Sequence, residues 1–365
     1  MPPIPKGAES LAEVIDRLTV ASAPELVREE AAGRVRCLAC GHRCLIMPGL
    51  RGICQVRHNL DGELRVPFGY VGALQCDPTE KKPFFHVLPG SRALTFGMLG
   101  CDLHCPYCQN WLTSQALRDA DAQAPPRQVS AERLGQLAVD AGASVIASSY
   151  NEPLITSEWA AAVMREGRRR GLIAAYISNG NATPEVLDYL RPLLDCYKVD
   201  LKAMSQKGYR QLGAKLENVL ATIEGLKQRG FWVEIVTLLI DGYNDSDDEV
   251  RELAGFLAGV DPLIPWHVTA FHPDYKMVDR DATPARKLTH AAEIGLEEGL
   301  RYVYCGNIPG RVGPFEDTRC HGCDATLVRR VGYTILSDRL TPAGGTCPDC
   351  GTAVPGIWDR PSPRG

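Results

Sequence analysis

No apolar stretch of the 365-residue chain is long enough to cross a membrane, since the longest, near Ile235–Ile240, has only the length of a strand. The first residues, Met1–Glu9, lack the basic-then-apolar pattern of a secretory signal peptide. Charge of one sign is not in excess either: 40 basic and 44 acidic side chains give a net charge of −4, which exerts no general attraction on nucleic acid or anionic lipid. We therefore expect a soluble, cytosolic (cytoplasmic) protein that binds neither nucleic acid nor a membrane.

Two common nucleotide-binding loops are also missing. No Gly-x-Gly-x-x-Gly follows a predicted strand and no Gly-Lys-Ser/Thr loop is present, which argues against nucleotide binding through those motifs. With 45% apolar and 23% charged residues, the chain is neither disordered nor collagen-like. At about 150 residues per domain, its length predicts two domains or one barrel with appendages.

Cysteine is the residue type that stands out. Of the 14 cysteines, Cys76, Cys196 and Cys305 stand alone and the others fall into three groups. These are the N-terminal quartet (Cys37, Cys40, Cys44 and Cys54), the central trio (Cys101, Cys105 and Cys108) and the C-terminal quartet (Cys320, Cys323, Cys347 and Cys350). In a reducing compartment, thiolates with two or three residues between them are better explained as metal ligands than as disulfides.

Between the outer cysteine groups, short apolar runs alternate with helix-length segments. The predicted strands are Ala93–Leu99, Ser144–Tyr150, Ile173–Ser178, Tyr197–Leu201, Val233–Ile240, Trp266–Phe271 and Arg301–Cys305. This alternation predicts an α/β fold with a partial or full parallel (β/α) barrel, and an open doubly wound sheet is the competing architecture. We expect an N-terminal helix and Cys-rich metal module over 1–90, the barrel over 91–310 and a zinc-ribbon-like module over 311–365.

The starts of three helices agree with this alternation. Thr183 and Thr283 each precede a proline, which predicts an N-cap hydroxyl with proline at the first helical position. Ser246, followed by Asp-Asp-Glu, predicts a capping box. All three starts lie between predicted strands, where crossover helices belong.

The central trio lies on a loop, residues 100–110, that directly follows the first predicted barrel strand. Three thiolates on one loop can hold three irons of a cubane cluster and leave the fourth iron without a protein ligand, which is where a metal centre can do chemistry. The alternative is a zinc loop whose fourth ligand is distant, such as His104 or a lone cysteine.

The trio has gaps of three and then two residues, with Tyr107 before the last cysteine, and this pattern resembles the radical S-adenosylmethionine (SAM) superfamily. The resemblance implies a [4Fe–4S] cluster whose open iron binds SAM. It also implies that an electron from the cluster cleaves SAM to methionine and a 5′-deoxyadenosyl radical, which abstracts a substrate hydrogen. The protein's own part is to bind, to orient and to exclude water.

Polar residues at the ends of the next two predicted strands extend the resemblance. Glu152 lies in a Tyr-Asn-Glu-Pro segment where the superfamily usually has Gly-Gly-Glu, and neither glycine is present here. The resemblance implies that Glu152 accepts hydrogen bonds from the methionine ammonium of SAM. Ser178 and Asn179, in Ser-Asn-Gly, are similar to the Thr-Asn-Gly of glycyl-radical-enzyme activases and are expected to bind the cofactor.

The fourth and sixth predicted strands end in the remaining candidates. Asp200 and Lys202 have the spacing of the activase Asp-x-Lys, which implies contact with the methionine end of SAM, and Lys202 can pair with its carboxylate. His272 resembles an activase histidine near the ribose or adenine. Taken singly, Glu152 could be a helix-start acid, Asp200 and Lys202 a solvated pair, and His272 a core histidine. Because parallel barrels carry their sites where strands end, we favour one site around the loop.

The outer cysteine groups predict further metal sites. The two Cys-x2-Cys pairs of the C-terminal quartet favour a closed zinc site, with an auxiliary iron–sulfur cluster or a rubredoxin-like iron as alternatives. The N-terminal quartet is irregular, and both zinc and a second iron–sulfur cluster remain open there, with zinc slightly favoured. Exchanged pairing, in which Cys37 and Cys40 share a metal with a C-terminal pair, is a further alternative.

Segments around these cysteines resemble one family in particular. Residues 37–44, 49–57, 77–83 and 304–307, together with the C-terminal pairs, are similar to AmmeMemoRadiSam-system radical SAM proteins, and the similarity runs from about Cys37 to Trp358. It implies Memo-like and AMMECR-like proteins as partners, and the radical chemistry implies a flavodoxin- or ferredoxin-like reductant.

We therefore expect an oxidoreductase of the radical SAM type that abstracts hydrogen from an unidentified substrate, for example a protein, as in the activation of a glycyl radical enzyme. The central trio is expected to hold the catalytic cluster. The expected cofactor-binding residues are Tyr107, Glu152, Ser178, Asn179, Asp200, Lys202 and His272. The alternative from another class is a non-catalytic adaptor that binds zinc or an iron–sulfur cluster.

Overall fold

The structure is a computed structural model that describes residues 9–363, so nearly all of the segment Met1–Glu9 lies outside the described residues. The N-terminal elements are α1 (Leu11–Arg17), β1 (Thr19–Ala21), β2 (Val27–Glu30), β3 (Arg34–Cys37), β4 (Leu45–Ile46), β5 (His58–Leu60), β6 (Glu63–Pro67) and β7 (Tyr70–Val71). They form the antiparallel sheets β1-β6-β5 and β2-β3-β4. Helix α1 begins in a capping box, in which Ser10 and Glu13 bond each other's backbone amides.

The main sheet contains the strands that position the site. They are β8 (Ala73–Pro78), β9 (Arg92–Gly97), β11 (Val145–Ser148), β12 (Ile173–Ser178), β13 (Cys196–Asp200), β14 (Trp232–Leu239), β15 (Trp266–Ala270) and β16 (Val303–Gly306), and a short β10 (Arg127–Gln128) pairs with β7 outside this sheet. Neighbours from β9 to β16 are parallel, whereas β8 runs antiparallel to β9.

The order of these strands decides between the two predicted architectures. From β9 to β16 each main-sheet strand lies beside the next one in the chain, as in a (β/α) barrel, and the order never reverses as a doubly wound sheet requires. In the described residues β8 and β16 are the outer strands, so the barrel is partial. The predicted α/β fold is confirmed, and the main sheet also includes β8, which precedes residue 91.

Helices cover the sheet between its strands. They are α2 (Trp111–Ser114), α3 (Ala131–Asp140), α4 (Ser157–Arg169), α5 (Pro184–Leu190), α6 (Gln206–Leu212), α7 (Leu216–Gln228), α8 (Asp247–Val260) and α9 (Ala285–Glu297). Every residue of β11 and β15 is buried, because the helices cover one face of the sheet while the other faces the barrel interior. Within residues 9–363, no helix combines the length and apolarity needed to cross a membrane.

Of the three predicted helix caps, one is present, one is partly formed and one is absent. Thr183 caps α5 by accepting a hydrogen bond from the amide of Val186, as predicted. Thr283 does not cap α9: the helix begins two residues later, and the Thr283 hydroxyl donates to a carbonyl of β14 instead, so that prediction is wrong. Ser246 accepts from the amide of Glu249, but the Glu249 carboxylate accepts from the amide of Met204, which leaves the predicted box half made.

The C-terminal part is a small antiparallel sheet of β17 (Thr318–Arg319), β18 (Thr326–Val331) and β19 (Thr334–Asp338). It is joined to the barrel by buried polar contacts. Arg330 donates to the carbonyl of Phe85 at 2.8 Å, and His86 lies between the carbonyl oxygen of Pro355 at 2.7 Å and the hydroxyl of Tyr304 at 2.6 Å.

Candidate functional site

The cluster loop (residues 100–110) leaves the carboxyl end of β9 and leads into α2. Cys105 is buried, whereas Cys101 and Cys108 are half-buried. The amide of Leu103 donates to Cys101 Sγ at 3.3 Å, and Ser114 Oγ lies 3.2 Å from Cys108 Sγ. Gly100 opens the loop with φ at +92°, and a Cβ there would lie only 2.7 Å from a methyl group of Val56, so glycine is required on both counts.

Burial dominates the ionisation of the central trio. It raises the pKa of all three thiols, and that of Cys105 to about 12, although the nearby Lys202 ammonium opposes the shift at Cys105 and Cys108. Thiolate is the form that binds metals. The chain alone therefore keeps these groups protonated at neutral pH, and a positively charged metal centre is what would stabilise three thiolates here.

The distances between sulfur atoms separate two kinds of metal site. In the C-terminal quartet all four Sγ atoms lie within 4.8 Å of one another, and the pairs Cys320–Cys350 and Cys323–Cys347 are 3.6 and 3.8 Å apart. Four sulfurs about 2.3 Å from a tetrahedral zinc ion lie about 3.8 Å from each other. The C-terminal quartet therefore matches a single ion of this size.

The central trio is arranged differently. Among residues 9–363, no group of three or more Cys, His, Asp or Glu ligand atoms besides the C-terminal quartet lies within that 4.8 Å spacing. The sulfurs of the trio are thus too widely spread for one ion with three thiolates. A [4Fe–4S] cluster takes one thiolate per iron and needs a wider spread, so the residues present fit this group.

The end of β12 holds Glu152 in place. Its carboxylate accepts hydrogen bonds from Ser178 Oγ at 2.7 Å and from the amides of Asn179 at 2.8 Å and Leu154 at 3.0 Å. Glu152 is only 3% exposed, and burial together with the neighbouring Asp102 carboxylate raises its pKa to about 8. Three of the predicted site residues are therefore in direct contact with one another.

Asp102 is a site residue that the sequence analysis missed. It lies between two cysteines of the trio and is fully buried, and its two oxygens accept from Asn179 Nδ2 at 2.7 Å and Asn181 Nδ2 at 2.8 Å. These bonds tie the cluster loop to the end of β12. The only signal in the sequence was a pair of asparagines two residues apart after a strand, which by itself does not identify their partner.

Asp200, at the end of β13, lies between two lysines. It pairs with Lys198 and with Lys202, whose Nζ is 3.3 Å from Asp200 Oδ2. Burial lowers the pKa of Lys202, but the negative charge of Asp200 outweighs it and holds the pKa above its usual value. Lys202 is thus a permanent cation beside the cluster loop. Lys198, also missed, is 4% exposed and faces the interior with Asp200.

The two remaining candidates, Tyr107 and His272, differ in solvent exposure. Tyr107 is buried, with its ring 5.9 Å from that of Tyr243. His272 is exposed, and its Nε2 lies 2.9 Å from the side-chain amide of Gln109 in the cluster loop. His272 therefore lies at the rim of the loop and is not a core histidine.

The N-terminal quartet lies beside the cluster loop. Three of its thiols are buried and Cys44 is half-buried. Burial raises the pKa of Cys40, Cys44 and Cys54, that of Cys54 to about 11, and a charge on Cys37 raises each further. Exchanged pairing with the C-terminal cysteines is not found, because that quartet is complete by itself.

Comparison with known proteins matches residues 96–257, from β9 into α8, to the radical SAM superfamily. An uncharacterized protein of Methanocaldococcus jannaschii is 34% identical over 325 residues, which cover 88% of this chain and 95% of that protein. The isethionate sulfite-lyase activating enzyme of Oleidesulfovibrio alaskensis is 24% identical over 143 residues, which are 38% of this chain and 46% of that enzyme.

Two solved structures align with part of this chain. A domain of pyruvate-formate lyase-activating enzyme from Bacteroides vulgatus aligns at 18% identity and a TM-score of 0.40, over 45% of this chain and 99% of that one. A radical SAM methyltransferase from Sphaerobacter thermophilus aligns at 18% identity and a TM-score of 0.47, over 60% of this chain and 67% of that one. The superfamily match covers the cluster loop and the ends of β11, β12 and β13, and the chain belongs to the radical SAM superfamily as an enzyme whose chemistry implies a [4Fe–4S] cluster and SAM.

Proposed function

We propose that the central trio binds the [4Fe–4S] cluster and that SAM is held over its open iron by residues at the strand ends, so that the enzyme abstracts a hydrogen atom from its substrate. One observation carries the proposal: the cluster loop and the end of β12 form a single buried network. In it, Asn179 bonds Asp102 through its side chain and Glu152 through its backbone amide. A network of this kind fixes the loop relative to the barrel before any ligand binds.

Charges at the site suit the methionine end of SAM, which carries one ammonium and one carboxylate. Lys202 can bind the carboxylate through a charge-assisted hydrogen bond, Asp200 supplies negative charge for the ammonium, and the oxygens of Glu152 can accept hydrogen bonds from it. Held by Cys101, Cys105 and Cys108, a reduced [4Fe–4S] cluster would supply the electron for reductive cleavage of SAM and, through it, the hydrogen abstraction from the substrate. Ser178 and Asn179 orient Glu152, and Tyr107 fills the buried side of the loop.

The exposed rim of the loop supports a role in binding the rest of SAM and the substrate. His272 and Gln109 are both exposed and in contact, where they can reach the ribose or adenine. Trp111 and Tyr275 stack at 5.1 Å between ring centroids and extend this rim. A stacked aromatic pair offers apolar contact area that needs little reordering on binding.

A protein is the substrate class that we favour. The partial barrel leaves β8 and β16 as outer strands in the described residues, so its interior is not closed by strand pairing. The relative from Oleidesulfovibrio alaskensis is named an activating enzyme for another enzyme, isethionate sulfite-lyase. We extend this to hydrogen abstraction from a polypeptide, with a flavodoxin- or ferredoxin-like electron donor and Memo-like or AMMECR-like proteins as partners of the AmmeMemoRadiSam type.

The test begins with SAM cleavage. Anaerobically reconstituted protein, reduced with dithionite, is expected to form 5′-deoxyadenosine from SAM, and the C105A variant none; C76S, a change at a lone half-buried cysteine, serves as the matched control. No 5′-deoxyadenosine from wild-type protein that holds the cluster would refute the proposal.

Substrate class is tested separately with fractions of cells grown in deuterated medium. If the substrate is a protein, deuterium enters 5′-deoxyadenosine only with the macromolecular fraction, and prior protease digestion abolishes the transfer. Transfer from the small-molecule fraction alone would reject a protein substrate while leaving SAM cleavage intact.

A further inference from the structure

The N-terminal quartet is assembled from two turns that contact each other. Cys37, Cys40 and Cys44 lie on one turn, which is closed by a hydrogen bond of 2.9 Å from the amide of Cys37 to the carbonyl of Cys44. Cys54 lies on a second turn, closed at 2.9 Å between the amide of Gly52 and the carbonyl of Arg57.

Both ends of the second turn touch cysteines of the first. A Cβ added at Gly52 would lie 3.6 Å from Cys44 Sγ, and Arg57 Nη1 donates to Cys37 Sγ at 3.4 Å. The four thiols therefore surround one small region of the molecule.

The spread of these sulfurs is not that of a zinc site. In the C-terminal quartet, all four sulfur atoms lie within 4.8 Å of one another, as a single ion requires. In the part of the chain that the structure describes, no three sulfur atoms of the N-terminal quartet lie within 4.8 Å of one another. A tetrahedral ion with four thiolates would need distances of about 3.8 Å throughout. A cubane cluster, with one thiolate on each of four irons, accommodates the wider arrangement.

The surroundings also suit an anionic cluster. Arg57 is 1% exposed, and besides its bond to Cys37 it pairs with the buried carboxylate of Glu158 and donates to the carbonyl of Ile155 at 2.8 Å. A buried N–H directed at a ligating sulfur is one of the means by which proteins stabilise iron–sulfur clusters and set their potential.

The N-terminal quartet is in contact with the cluster loop. His42, between Cys40 and Cys44, places Nε2 3.1 Å from the carbonyl oxygen of Asp102, and the amide of Gly41 donates to the carbonyl of Asn181 at 2.8 Å. Asn181 in turn bonds the Asp102 carboxylate at 2.8 Å. Two cysteine-bearing turns from distant parts of the sequence thus share one hydrogen-bonded contact.

We infer that Cys37, Cys40, Cys44 and Cys54 bind a second iron–sulfur cluster, of the four-iron type, directly beside the catalytic one. All four irons are ligated by protein, so this cluster has no open position for SAM. The inference concerns metal content and does not depend on the proposed substrate.

The test is a metal count on the full-length protein after anaerobic purification and iron–sulfur reconstitution. Wild type is expected to hold about eight irons per chain, and the C101A/C105A/C108A variant about four, with the absorbance and Mössbauer spectrum of a cubane retained. Zinc is expected at about one per chain in both, held by the C-terminal quartet, so zinc content also reports that the variant is folded. C76S is the matched control and is expected to equal wild type.

Three results would overturn the inference: about four irons in wild type, no iron in the folded triple variant, or zinc at about two per chain. If the triple variant does not retain zinc, the wild-type iron count decides alone. Wild type that cleaves SAM with only four irons would reject the second cluster but leave the proposed function standing.

Discussion

The charge on Lys202 offers the most direct test of how the site would bind SAM. Replacing it with the neutral, similarly long methionine (K202M) removes the one cation that we place against the SAM carboxylate. A hydrogen bond to a charged group contributes about 1.5–3 kcal/mol, so SAM affinity is expected to fall about 10- to 150-fold. The fold should tolerate the change, because Asp200 keeps its ion pair with Lys198.

The measurement is calorimetric titration of SAM into the reconstituted protein, with iron content determined on the same samples. K215M is the matched control: Lys215 is a surface lysine, 68% exposed at its side chain and paired 3.2 Å from Glu217. Its SAM affinity should equal that of wild type. If K202M holds its iron and binds SAM within threefold of wild type, the role assigned to Lys202 is refuted.

Three further predictions follow from buried groups. R57M leaves the Glu158 carboxylate buried without its partner, so chemical unfolding should show a loss of about 3–5 kcal/mol, largely recovered in R57M/E158L; a loss under about 1 kcal/mol in R57M would contradict the buried pair. C347S should lose about one zinc per chain on elemental analysis while its iron content is unchanged, and retention of zinc would argue against that site. Burial lowers the pKa of His86 to about 4, so the unfolded chain binds the proton first as the pH falls. The free energy of unfolding should therefore drop by about 3 kcal/mol between pH 6.5 and pH 4. If H86Q and wild type show the same dependence of this free energy on pH, the prediction is contradicted.

The fold was largely predictable because most of its strands can be recognised from their own residues. Strands buried on both faces are continuous apolar runs, and β12 begins and ends where the sequence predicted. The antiparallel strand β8 was missed because Ala73–Pro78 is nowhere fully buried and has no apolar run. The Thr283 cap failed for a different reason: a carbonyl of β14, distant in sequence, takes the hydroxyl that a local pattern assigns to the helix.

The candidate site was predictable only for residues whose type and position in the sequence already indicate a chemical role. Cysteine spacing identified the trio, and strand-end positions identified Glu152 and Asp200. Asp102 was missed because its importance depends on a partner, Asn181, that only the fold places against it. Lys198 could have been found, because a strand places residues 198 and 200 on the same face. Sequence spacing also left the metal of the N-terminal quartet open, since it fixes the order of the ligands and not the distances between their sulfurs.

The central claim is that three thiolates hold a cubane whose fourth iron is open to SAM. Mössbauer spectroscopy of protein reconstituted with iron-57, recorded with and without SAM, tests it most directly. We predict that SAM changes the signal of one iron in the catalytic cluster, and that C101A/C105A/C108A loses that response. A spectrum that SAM leaves unchanged in wild type, or a response that survives in the triple variant, would contradict the account.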